Sequence, residues 1–457
     1  MRSFYTALDV QRLADRGVYE LPIEELDVVT DEARDLAERL GVKIARAYAT
    51  AGRPAVGDAA PTSTEPITDS ARDGSGREPS ESEWSAIREK EFPTLRKIHL
   101  ANCSQGAQPA CAADALNAFL TNWREEGMDW EYWMNVVNDA KAAFARLVNA
   151  DAEDIAISFS VSSLVGTVAS ALDYRGMRNK VVTTELDFPT VPNIWFAHER
   201  LGASVDLIPA SSEGDIDLDE YRRHIDGKTI MTSIPLVYYR NGYKQDIAEI
   251  ASIAHQSGSM VLVDAYQGLG TTPVDVKAMD LDIVVTGCLK YLLGVPGIAF
   301  AYTKKEIRDQ LRPTSTGWFG QADPFAFNYH LDYATNGRRL ETGTPPAAAA
   351  FPAKASIDLL LDVGIDRISA RCDRLSQHCV EGAKSRGLPV LSDFDLGSKG
   401  PTTAVRVPNS HAMEEMLKAR NVVASARGDV IRLAHHFFVT EEEIDHALDE
   451  VQAILNE

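Results

Sequence analysis

Asp264 and Lys290 follow two apolar, strand-like runs, 260–263 and 283–285, within the stretch MVLVDAYQGLGTTPVDVKAMDLDIVVTGCLKYLLGVPGIAFAY (260–302). A carboxylate and an ammonium at the C-terminal ends of neighbouring buried strands are the means by which an α/β sheet holds a ligand in its crevice. Gly294, Pro296 and Gly297 then bend the chain before a third apolar run, 298–301. Other groups with chemistry stand at comparable places. A strand over 155–159 is followed by Ser160, Ser162 and Ser163 and a helix from 164. Hydroxyls and free backbone N–H groups there face one way, either as a cradle for an anion such as phosphate or as ordinary helix caps. Phe188, before Pro189 and after the strand 180–184, is either a flat platform for stacking or a packing residue. Tyr238 or Tyr239 and Asn241 end the β-rich run 229–236, where they can point into the same crevice. Arg432, on a strand over 430–434, either grips a carboxylate bidentately or serves a structural ion pair.

Strands alternating with helices from 155 to 302 predict a largely parallel sheet covered by helices. A smaller C-terminal α/β domain is expected from strands at 403–407 and 430–434 and helices at 365–387 and 441–455. Helices at 110–124 and 132–147 are read as scaffold rather than site, and HLANCSQGAQP (99–109) is a turn leading into the first of them. Residues 52–82, rich in Pro, Gly, Ser and Thr, predict a flexible linker. The expected organisation is therefore a small N-terminal module (1–50), a linker (51–82), a large domain (83–345) whose first segment contributes to the small domain, and a small domain (346–457). In the module, helices are expected over 6–13 and 30–40, the second capped by Thr30, with a strand or hairpin between them.

The 457-residue chain carries a formal charge of -21, which argues against nucleic acid and anionic membrane surfaces as partners. No run approaches the roughly 18 apolar residues of a membrane span, and the charged start MRSFYTALDVQRLADRG lacks a secretory signal pattern. Five cysteines without a CxxC pair point to a reducing cytoplasm, and no His or Cys spacing suggests a metal.

A phosphate cradle, a stacking ring, a buried acid, a lysine and a carboxylate-binding arginine are together the set that pyridoxal 5'-phosphate requires. The chain also resembles the class V aminotransferase superfamily of fold-type I pyridoxal phosphate enzymes, which includes kynureninase, isopenicillin N epimerase, cysteine desulfurase and C–S lyases. The resemblance covers about 85–456 and rests on VDAYQ (263–267), TGCLKYLLGVPG (286–297), ELDFPT (185–190), GWFG (317–320), ETGTP (341–345) and GDVIRLAHHFFVTEEEID (428–445). It implies a seven-stranded, mostly parallel large-domain sheet and a homodimer in which Thr342, Gly343 and Thr344 of one subunit reach the phosphate of the other. It further implies Lys290 as the Schiff-base lysine, Asp264 as partner of the ring nitrogen, Gln267 as donor to the ring oxygen, Ser162 and Ser163 as phosphate contacts, Phe188 as the stacking ring and Arg432 as the α-carboxylate site.

Two departures shape the functional expectation. The stretch 421–432 has no cysteine where desulfurases carry their nucleophile, and Leu289 stands where relatives place histidine or tyrosine. Leucine offers neither a general acid nor a phosphate ligand, so another side chain must supply that group, with Tyr291 and Tyr239 as candidates. Lyase or kynureninase-like cleavage of an amino acid is placed first, transamination or epimerisation second, and a non-catalytic scaffold third. Residues 1–50 resemble the small helical module of some microcompartment-associated cobalamin adenosyltransferases, through Tyr5, Asp9, Val10, Leu13, Gly17, Thr30, Ala33, Arg34, Leu36, Ala37 and Gly41. That resemblance implies docking, on a protein partner or on the enzyme domain itself, or targeting.

Overall fold

The computed structural model describes residues 4–6, 10–11, 13–14, 17–23, 28–46 and 79–457. The chain divides into two compact units, Met1–Pro66 and Ile67–Glu457. In the first, β1 (Phe4–Tyr5) pairs in parallel with β3 (Val28–Val29), and β2 (Glu20–Ile23) with β4 (Lys43–Arg46). Among the described residues β2 and β3 therefore do not pair as a hairpin. The helix Asp31–Leu40 starts where Thr30 accepts a hydrogen bond from Ala33 N–H and ends at Gly41, whose φ of 72° suits a residue without Cβ. Its Ala33 and Ala37, one turn apart, pack on Val10, Leu21, Val29 and Val42. The expected helix over 6–13 lies only partly among the described residues, and the expected linker lies outside them up to residue 78.

The second unit begins with the helix Glu81–Glu91, closed by a capping box between Ser80 and Glu83, so regular structure starts before the expected linker end. Trp84 and Phe92 of this segment lie against Phe437, and the Arg88 guanidinium pairs with Glu443. β5 (Ile98–His99) then pairs in parallel with β14 (Val422–Val423). The start of the body is thereby built into the C-terminal region.

The central sheet has seven strands in the order β6 (Ile155–Ser158), β12 (Ala299–Thr303), β11 (Ile283–Gly287), β10 (Met260–Asp264), β9 (Thr229–Pro235), β7 (Lys180–Thr184) and β8 (Ser204–Ile208). All its pairings are parallel except those of β12, which is antiparallel to both β11 and β6. The reason is local. β11 and β12 are joined by a bend too short for a crossover helix, and Gly297 turns it at φ 91°. Apolar runs such as Val261, Leu262 and Val263 are buried on both faces, as helix-covered strands require. A second sheet, β13 (Thr402–Arg406), β16 (Val430–Ala434) and β15 (Ser425–Arg427), is antiparallel and carries the helices Ile365–Ser385 and Ser410–Ala419, on which the helix Glu441–Asn456 packs in turn.

Candidate functional site

Asp264 ends β10 and Lys290 follows β11, so the register Asp264↔Val285 brings the two segments side by side at one end of the sheet. A cavity there is lined by Phe159, Ser160, Val161, Ser162, Phe188, Tyr239, Asp264, Tyr266, Gln267, Gly287 and Lys290 among others. Residues from β6, β7, β9, β10 and β11 thus converge at their C-terminal ends, as the crevice of an open α/β sheet does.

The electrostatics follow from burial. Asp264 is 8% exposed, and burial raises its carboxyl above the ordinary range, opposed by the Tyr266 N–H at 2.9 Å and by Lys290. Burial pushes the Lys290 ammonium down to about 8, opposed by Asp264 and reinforced by the Arg432 and Arg427 guanidiniums. The lysine amine lies 4.0 Å from the centroid of the Tyr266 ring and 5.8 Å from that of Phe188. Phe188, 41% exposed, meets Tyr239 edge-on at 5.3 Å.

Around this centre stand the remaining candidates. Ser160 caps the helix Val161–Ser170, its hydroxyl accepting from Ser163 N–H at 3.1 Å. Ser162 lines the cavity, whereas Ser163 is occupied with the cap. Gln267 Nε2 donates to the Cys103 carbonyl at 3.1 Å, and its buried Oε1 has no partner among the described residues. Arg432 is not among the residues that line the cavity; it is 1% exposed and lies behind the lining residue Tyr239, donating to the Tyr239 carbonyl at 2.7 Å, to Ser425 Oγ at 2.7 Å and to Ser104 Oγ at 3.0 Å. All of these acceptors are neutral, and no carboxylate among the described residues offsets the guanidinium. Buried cations are ordinarily paired.

Four other expected site residues, Asn241, Tyr291, Gly343 and Thr344, are held elsewhere. Asn241 is fully buried and donates to the Glu213 and Gly214 carbonyls at 3.1 and 3.0 Å, while its Oδ1 accepts from Tyr243 N–H. Its amide is spent on closing a loop, outside the cavity lining. Tyr291 points away from the cavity, its hydroxyl 2.8 Å from Thr402 Oγ1 and its carbonyl 3.0 Å from His436 Nε2. It joins the lysine segment to the small domain instead. His435 and His436 are fully buried, and burial lowers them to about 3 and about 4. Gly343 and Thr344 are exposed and do not line the cavity. The GWFG turn docks against their loop through Phe319 N–H to the Thr342 carbonyl, 3.1 Å.

The turn 99–109, read from sequence only as leading into a helix, is part of the site. Cys103 offers its carbonyl to Gln267, Ser104 holds Arg432, and Gly106 N–H donates to the Leu289 carbonyl at 2.8 Å. A Cβ at Gly106 would come within 2.2 Å of the Lys290 carbonyl, so only glycine lets this turn pass the lysine. The clustering of small and polar residues was the available signal. Asp187 carries no such signal in the sequence. It is 2% exposed, accepts from Thr183 and Thr184, and is raised well above the carboxylate range by burial and by nearby Asp264.

The residues present fit pyridoxal 5'-phosphate. A buried carboxylate with no hydrogen-bonded cation among the described residues suits a protonated ring nitrogen, and a capped helix N-terminus with Ser162 faces the same cavity; Gln267, expected to donate to the ring oxygen, lines the cavity with its Nε2 on the Cys103 carbonyl and its amide oxygen unpartnered.

Known proteins are similar to this chain over most of its length. The model of the family aminotransferase class-V matches residues 100–440. An uncharacterized aminotransferase of Bacillus subtilis, YcbU, is 38% identical over 363 residues, 79% of this chain and 96% of its own length. A kynureninase of Deinococcus radiodurans is 24% identical over 378 residues, 79% of this chain and 90% of its own. Among solved structures, an apo cysteine desulfurase of Thermococcus onnurineus superposes with a TM-score of 0.74 at 21% identity, covering 83% of this chain and 98% of its own.

Proposed function

The chain belongs to the aminotransferase class-V family of pyridoxal 5'-phosphate-dependent, fold-type I enzymes, and from that premise we propose that it cleaves a bond in the side chain of an α-amino acid, as a lyase or in the manner of a kynureninase. The observation that carries an amino-acid substrate is the buried Arg432 guanidinium with neutral partners only, which calls for a carboxylate. Cleavage is supported by Tyr239, which lines the cavity and whose backbone carbonyl accepts from Arg432; its phenol is the group that would give a proton to a departing group.

The residues then divide the work. Arg432 binds the carboxylate, Phe188 and Tyr266 flank the reacting centre, and Asp264 holds a proton on the cofactor's ring nitrogen. Lys290 Nζ, lowered towards neutrality by burial, takes the α-proton and returns it. When bound, pyridoxal phosphate supplies the electron sink that weakens bonds to the α-carbon and beyond. No cysteine lies between 421 and 432, so a persulfide-forming route with a nucleophile there is not part of the proposal.

Transamination is the second reading, supported by the relative at 38% identity being named an aminotransferase. A panel of amino acids separates the two. Pyruvate or alanine released without an oxo-acid acceptor, and lost in Lys290→Ala, supports cleavage; an oxo acid formed only when an acceptor is added overturns it in favour of transamination.

A second copy of the chain is proposed to complete the site. Gly343 and Thr344 are exposed, and the neighbouring segment presents Phe327 at 71% and Tyr329 at 104% exposure, apolar surface that a homodimer would cover. No helix among the described residues is long and apolar enough to cross a membrane, and all five cysteines are free. The free thiols support a reducing cytoplasm as the working compartment.

A further inference from the structure

No hydrogen bond or ion pair among the described residues engages the Lys290 amine; its near partner is the face of the Tyr266 ring, 4.0 Å from Nζ to centroid. An ammonium out of water without an acceptor is costly, and an aromatic face at this distance offsets part of that cost. Tyr266 is held for the purpose from three sides. Its backbone N–H donates to Asp264 Oδ1 at 2.9 Å, and its hydroxyl lies beside the Leu289 backbone N–H. Its ring also covers Gly287 so closely that a Cβ there would come within 2.5 Å of the ring carbon bearing the hydroxyl.

We propose that Tyr266 is a positioning residue for Lys290: its ring face is the seat on which the lysine amine rests whenever it carries a proton. Tyr266 thereby supplies, from the neighbouring strand end, an aromatic neighbour that Leu289 does not provide. The inference rests on reading Lys290 as the cofactor-bearing lysine, and it assigns a use to a tyrosine to which residue chemistry and spacing alone give none. The other groups acting on the amine are Asp264, the Cys103 thiol, Arg432, Arg427 and, at 5.8 Å, the Phe188 ring, and the substitutions at Tyr266 leave the identity of each unchanged.

The test is the titration of Lys290 in the full-length chain stripped of pyridoxal phosphate, read by competitive acetylation with acetic anhydride and mass spectrometry across pH. Wild type is compared with Tyr266→Phe, Tyr266→Leu and a variant carrying difluorophenylalanine at 266. Fluorination weakens the ring's negative face while keeping its shape, so water access to the amine is unchanged and the variant remains informative if Tyr266→Leu fails to fold. The expected result is a wild-type titration in Tyr266→Phe and a shift to lower pH, by roughly half a unit to one and a half, in the leucine and fluorinated variants. A fluorinated variant that titrates like wild type, or Tyr266→Phe shifting as far as the fluorinated variant, overturns the proposal. Adding pyridoxal phosphate to the wild type tests the underlying reading separately. Failure to develop a visible absorbance band removes the cofactor role of Lys290, while the titration still decides whether the ring seats the amine.

Discussion

Lys290 Nζ is the atom on which the chemistry turns, and its surroundings set the pH at which it can act. An amine accepts a proton only when neutral. Because burial brings Lys290 down to about 8, single-turnover proton abstraction should rise with pH and level off above about 8, rather than climbing towards the ordinary lysine value near 10.4. A rapid-reaction pH profile checks this, and a rate still rising steeply at pH 10 would contradict it. Lys290→Ala should lower turnover by roughly 10²–10⁴-fold or more, since general-base catalysis alone accounts for that range. At Arg432, exchange for lysine keeps the charge but loses the planar fork. KM for the amino acid should rise by about ten- to a hundredfold while the visible absorbance of the bound cofactor is unchanged. A fall in kcat with KM constant would mean that Arg432 does not hold the carboxylate.

Secondary elements decide which of these side chains meet. β12 runs against its neighbours, which lets a short bend rather than a helix follow Lys290 and keeps the lysine segment at the rim of the sheet. The loop that starts at Glu341 is fixed from below. The Lys141 ammonium pairs with Glu341 in the interior, their side chains 7% and 3% exposed, and Glu341 Oε1 also accepts from Ile157 N–H of β6 at 3.2 Å. Removing one member of a buried pair strands the other. Lys141→Met should therefore cost about 3–5 kcal/mol in urea unfolding, and the double replacement Lys141→Met with Glu341→Leu should recover much of it. If the single variant costs no more than the double, the pair is not the anchor. Tyr291 belongs to the same scale, because its bonds to Thr402 and His436 tie the residue after the lysine to the small domain.

At the scale of the whole molecule, the N-terminal unit has its own small core of Val10, Leu21, Val29, Ala33, Ala37 and Val42, and the larger unit contains every residue of the cavity. A chain beginning at residue 79 should keep the visible cofactor absorbance and unfold within a few degrees of the full-length protein. Loss of cofactor binding in that truncation would show that the first unit takes part in the site. The sequence by itself determined the alternation of strands and helices and the separate module at the start, and it singled out Asp264, Lys290, Phe188 and Arg432 as residues to follow, while Gln267 came from the family resemblance alone. Those signals are local: burial period, strand-end position and residue chemistry act over a few neighbours. What it left open was pairing across long separations. Only the tertiary structure decided that the turn 99–109 wraps Lys290 and Arg432, that Asn241 and Tyr291 spend their polar groups on other loops, and that Tyr266 lies under the lysine amine. Such contacts join residues tens to hundreds of positions apart, and they are selected by packing of the complete core rather than by any pattern along the chain.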